Sequence, residues 1–151
     1  TPIDFPATRD LLRVQWEVWR LGYAWGMGHI GAGQAVLLDQ AIADYRTALD
    51  GDDYAGAIAA GLDFHTIFIT ASANRELLRS TLDRRGLIAR FILLHGLQTL
   101  TTIGLEQHQA ILAAFKAGDH PGVLACLDRM ATRLIAIADA GCPAASDHPS
   151  R

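Results

Sequence analysis

The sequence predicts an all-α fold, a single helical domain, and three observations carry that prediction. Apolar residues recur at the three- and four-residue spacing of helical faces along most of the chain. No alternating stretch bounded by hairpin turns competes with that period. Residues suited to starting and stopping helices stand between the periodic runs. With 151 residues, half of them hydrophobic, the chain can bury one sizeable core and is too short to suggest two. No internal repeat or low-complexity linker marks a domain boundary.

Six helices are expected. The first runs from about Thr8 to His29 and ends near the glycines of "GHIGAG". The second covers "QAVLLDQAIADYRTAL", and "DGDD" separates it from a third that carries His65. Asn74 is placed to cap the fourth, with Glu76 in its first turn favoured by the helix dipole, and this helix continues through "RELLRSTLDRRGLIARFILLHGL". Thr99, Thr101 and Thr102 mark a break, with Gly104 just beyond. "LEQHQAILAAFKAGD" is the fifth helix, stopped by Gly118. Asp119 caps the sixth, Pro121 sits in its first turn, and Gly141 ends it, so that "CPAASDHPSR" reads as a frayed tail.

The first helix carries two apolar stripes. Leu12, Trp16, Trp19, Tyr23 and Met27 form one; Val14, Val18, Leu21 and Trp25 form the other. One face packs on the bundle, and the other exposes large aromatics unless a second subunit covers it, which favours a homodimer over a centrally buried helix in a monomer.

Composition removes several classes of function. A net charge of -3 argues against autonomous binding to nucleic acid or to an anionic membrane. Apolar runs are interrupted well before the roughly 18 residues that a membrane span needs, and no signal peptide opens the chain, so a soluble cytoplasmic protein is expected. The first residue is not Met, which fits a trimmed chain or a fragment. Cys126 and Cys142 have no motif spacing and read as reduced thiols without a catalytic role. Lys116 is the only lysine among 13 basic residues, a bias without a physical explanation.

Three of the six histidines fall on apolar stripes; His29, His120 and His148 lie at termini. His65 is in line with Ile58, Leu62 and Ile69; His95 with Ile88, Phe91 and Ile92; His108 with Leu105, Ile111, Leu112 and Phe115. Each ring, taken singly, reads either as a hydrogen-bonded core histidine or as a ligand contact, because an unpaired buried imidazole costs up to a few kcal/mol. Three rings on three helices of one bundle are where such folds build metal and ligand sites. Arg84 shares the stripe of Ile88, Phe91 and His95, where its guanidinium is either a rim ion pair or the counter-charge for a small anionic ligand. Asp63 is about 200 degrees around the helix from His65 and cannot share a metal with it, while the aligned position one turn earlier is Gly61.

The segments "FHTIFITASANREL" and "QHQAILAAFKAGDHPGVLACLDRM", with the distance between them, resemble the C-terminal effector-binding domain (FCD) of GntR-type bacterial transcription regulators of the FadR subfamily. The resemblance covers essentially the whole chain. It implies an antiparallel bundle of six to seven helices, a homodimer, and a central pocket for a small organic acid and, in many members, a divalent metal such as zinc or nickel. It also implies a winged helix-turn-helix domain that binds operator DNA, a domain expected to lie outside these 151 residues. Metal-binding members carry an Asp at the position of Gly61, histidines at His65 and His108, and a last histidine at the position of Met130. An arginine frequent on the family's first helix aligns with Gln15. Two of the four metal positions survive, and two imidazoles seldom hold zinc alone. His95 is the candidate third ligand, the alternative being a metal-free pocket as in acyl-CoA-responsive relatives.

The expected function is therefore an effector-sensing, dimerising module of a regulator, with His65, Arg84, His95 and His108 as ligand contacts and without enzymatic activity. Two other classes stand beside it: a hydrolase or lyase using a His-bound metal or a general-base histidine, and a helical interaction domain without ligand. No interior carboxylate accompanies the rings, since Glu106 and Asp63 lie off the stripes, and this disfavours the enzyme.

Overall fold

The computed structural model describes residues 1–99 and 102–144. Among them are six α-helices and no strand: α1 (Phe5–Gly26), α2 (Ala32–Asp50), α3 (Tyr54–Ala71), α4 (Arg75–His95), α5 (Thr102–Lys116) and α6 (His120–Ala140). Single 3-10 turns, Met27–His29 and Leu97–Thr99, follow α1 and α4. The expected break at Thr99 and Thr102 lies where the 3-10 turn ends and α5 begins, whereas Thr101, His148 and the tail from 145 onward fall outside the described residues.

Helix ends follow the side chains that satisfy free backbone groups. The Asn74 side chain accepts from the N–H groups of Glu76 and Leu77, and Asp119 accepts from Gly122 N–H, as their positions in the sequence predict. Gly118, at φ +72°, supplies the left-handed residue after α5. The start of α1 is earlier than expected because Asp4 accepts from Ala7 N–H and Pro6 sits in the first turn, so helix begins at Phe5 and not at Thr8. Helix α5 likewise starts at Thr102, three residues before the expected Leu105.

Helix α3 lies at the centre, packed against α1, α2 and α4, while α1 also packs against α4 and α6. In length and mean hydropathy, 1.2, α3 would pass for a membrane span. Its apolarity has another cause here, because a helix with neighbours on several sides needs apolar residues all round. Ile58, Leu62, Phe64, Phe68 and Ile69 are all buried. Helix α1 separates its two stripes as expected. Leu12, Trp19, Tyr23 and Met27 are buried and Trp16 is half-buried, with its indole N–H donating to Asp128 at 2.8 Å. On the other face Val14 is 61% and Trp25 50% exposed, with Leu21 also exposed and Val18 half-buried.

Candidate functional site

A largely apolar cavity of about 70 Å³ lies where all six helices meet. Trp19 reaches it from α1, Tyr45 from α2, His65 from α3, Ile92 from α4, His108 from α5 and Met130 from α6. Among the described residues no Asp, Glu, Lys or Arg lines it. Its volume is several times the roughly 10–15 Å³ that one water requires, and below the roughly 150 Å³ of a cavity known to admit benzene. A long acyl chain does not fit.

The two buried histidines face each other across this space, His65 3% and His108 7% exposed, with ring centroids 5.0 Å apart. Trp19 stacks on His65 at 4.6 Å. The Tyr23 hydroxyl lies 2.5 Å from His65 Nδ1 and has no other hydrogen-bond partner among the described residues. A hydroxyl hydrogen needs an acceptor, so Tyr23 donates to Nδ1 and the neutral ring carries its proton on Nε2. His108 is held the opposite way. Its Nδ1 lies 2.8 Å from the carbonyl of Gly104, which can only accept, so Nδ1–H donates and Nε2 bears the lone pair.

Electrostatics keeps both rings neutral. Burial drives the His65 pKa well below its ordinary value, and the neighbouring His108 lowers it further. Burial also lowers His108, against the carbonyls of Gly104 and Gly61, which favour the charged ring. Desolvation raises the Tyr23 phenol well above its usual range and pushes Tyr45 up to about 12, so both remain protonated donors. Two buried polar atoms of cavity-lining residues are left without a hydrogen-bond partner, the indole Nε1–H of Trp19 and Nε2 of His108. Buried polar atoms are normally paired, so orphans lining a cavity mark a place where a solute completes the network.

Of the four sequence-derived candidates, the structure brings only His65 and His108 together. His95 is exposed, its ring edge-on to Phe5 at 4.8 Å, and does not line the cavity. Arg84 is exposed too, and its expected inward direction is corrected. The buried residues of α4 are Leu77, Thr81, Ile88 and Phe91, and between Thr81 and Ile88 every residue is exposed except Arg85, which acceptors on α3 hold against the bundle although helical spacing alone places Arg84 nearer the stripe. Arg85 is accordingly half-buried, reaching Asp63 at 2.7 Å and the Ala59 carbonyl at 3.1 Å, contrary to the expectation that it faces solvent. Asp63 is turned away from His65, as its helical position requires.

At Gly61, a Cβ would stand 3.2 Å from His108 Nε2 and 3.2 Å from the Tyr45 ring, so those rings occupy the space of a side chain there. Gln15 is buried outside the cavity and donates to Ser80 Oγ at 3.0 Å. Cys126 and Cys142 are free thiols. Sequence reasoning placed Trp19 and Tyr23 together on one of the two apolar stripes of α1, without assigning that stripe to the interior, and missed their polar roles. Spacing reveals that a side chain turns inward, not which imidazole nitrogen its hydroxyl or indole meets.

The profile of the FCD domain family matches residues 23–133, most of the chain. Among solved structures, E. coli McbR/YncC shares the fold with a TM-score of 0.74 and 18% sequence identity, over 87% of this chain and 63% of that one. The chain thus spans less than two thirds of that relative's length. No curated protein sequence matches it significantly. The bundle, the cavity at its centre and the family match agree: the chain belongs to the FCD family, the effector-binding domains of GntR-type regulators.

Proposed function

We propose that this domain senses a small molecule in the central cavity, dimerises through the outer face of α1, and transmits occupancy to DNA-binding domains elsewhere in the regulator. The observation that carries the reading is the cavity itself, walled by all six helices, with buried, unpartnered polar atoms on two of its lining residues. A ligand seated against every helix can shift the population of two bundle arrangements, provided it binds one more tightly than the other. The exposed Val14, Leu21 and Trp25 support dimerisation, since an unpartnered apolar stripe on the outside of a bundle favours burial against a second copy.

The residues present do not fit the family's divalent metal. Among the described residues no three His, Cys, Asp or Glu side chains are grouped to hold an ion. Gly61 offers no carboxylate, Met130 supplies only a soft thioether, and His95 does not line the cavity. The sensing mechanism proposed here therefore uses no metal. The organic acid that the family resemblance implies also lacks its counter-charge, because Arg84 lies outside the cavity.

A thermal-shift screen of small metabolites, in chelator, tests the reading. A compound that raises the melting temperature without being consumed is the expected result. Turnover would support a histidine-based hydrolase or lyase instead, and a screen without hits would leave a helical interaction module. Sedimentation at micromolar concentration is expected to show a dimer that Trp25→Glu dissociates; a stable wild-type monomer would refute that part.

A further inference from the structure

The chemistry of the cavity specifies its ligand beyond "small molecule", an inference that rests on the effector-site reading above. Two features decide the class. First, among the described residues the wall contains no charged side chain, and moving an ionised carboxylate into such a place without a partner is strongly unfavourable. Second, the wall's unused hydrogen-bonding groups are of both kinds. The indole Nε1–H of the buried Trp19 can only donate, and His108 Nε2, with its neighbour Nδ1–H committed to Gly104, can only accept. His65 adds a second donor, since the Tyr23 hydroxyl fixes its proton on Nε2.

We propose that the cavity binds a compact, uncharged molecule with a hydrogen-bond donor and acceptor close together, of the primary-amide or lactam type, and not an organic anion. The ligand's carbonyl accepts from the Trp19 indole and from His65 Nε2–H, its N–H donates to His108 Nε2, and its short apolar remainder lies against Ile58, Leu127 and Leu134. A carboxylate of the same shape offers acceptors only. It leaves His108 Nε2 facing a second lone pair and brings a charge that nothing in the wall offsets. The cavity's 70 Å³ limits the molecule to a handful of heavy atoms.

Propionamide and propionate are isosteric and differ only in these properties, so a paired titration tests the proposal on the unaltered 151-residue chain. The readout is the Trp19 indole N–H in a nitrogen–proton correlation spectrum at pH 7.5 with chelator. Trp16, already bonded to Asp128, and the exposed Trp25 serve as internal controls. Saturable movement of the Trp19 signal by propionamide, at a dissociation constant at least tenfold below that of propionate, is the expected result. Equal or tighter binding of propionate, or propionate binding that appears only when zinc is added, overturns the uncharged class and leaves the effector site standing. If neither compound moves Trp19, or only Trp25 responds, the cavity is not a ligand site and both readings fail together.

Discussion

His65 on α3 and His95 on α4 sit on equally persuasive apolar stripes, yet one ring is buried in the cavity wall and the other is exposed. The difference lies in the neighbours. Helix α3 has α1, α2 and α4 around it, so any residue on the stripe of Ile58, Leu62 and Ile69 meets another helix. Helix α4 packs on α1 and α3, and around its last turn Leu93 and Leu94 are exposed, so at His95 its stripe has run out of core and the ring meets Phe5 and, one turn back on its own helix, Phe91, and stays exposed. A periodic stripe specifies a direction around the helix axis; whether anything waits in that direction depends on where the helix lies in the bundle.

The largest test of this contrast is a pair of truncations. His65→Ala removes the stack on Trp19 and orphans the Tyr23 hydroxyl, and is expected to cost roughly 2–4 kcal/mol in chemical denaturation. His95→Ala should cost less than about 1 kcal/mol, as expected of an exposed position. Equal losses would show that the two rings are equivalent after all.

A second test is pH. Both cavity histidines titrate below the ordinary imidazole value near 6.5 in the folded state, and among the described residues no carboxylate lines the cavity to oppose this; the other titratable side chain lining it is the Tyr45 phenol. As pH falls, the unfolded chain takes up these protons first. The stability they contribute is thus fully present above about pH 6.5 and lost below it, with a limiting slope of roughly 1.4 kcal/mol per pH unit for each proton. Denaturation midpoints between pH 7.5 and 5.5 should show this decline, reduced in His108→Gln and unchanged in His95→Gln. A slope insensitive to His108→Gln would mean that other groups control the acid limb.

The smallest effect separates adjacent arginines. Arg85→Ala breaks a partly exposed ion pair with Asp63 and an additional bond to the Ala59 carbonyl, worth about 0.5 kcal/mol, whereas Arg84→Ala should be neutral within error. The reverse ranking would restore Arg84 to the inward stripe.

By itself the sequence determined the helical class, most helix ends, the two faces of α1, and the inward direction of His65 and His108. Each of these depends on residue period or on a cap reaching three residues along the chain, which are local properties. That two of the four metal positions implied by the family resemblance are altered was legible too, because Gly61 and Met130 stand where the resemblance implies an Asp and a His. Only the tertiary structure decided that His95 and Arg84 lie outside, that Arg85 pairs with Asp63, and that Tyr23 and Gly104 assign opposite tautomers to the two rings. The Tyr23–His65 and Arg85–Asp63 contacts join different helices, at 2.5 and 2.7 Å, and although the Gly104–His108 bond lies within one turn of α5, it is the pair of rings meeting in the core that gives the two tautomers their consequence. Helical periodicity turns a side chain toward the interior, but the position of a proton depends on the single atom it finds there.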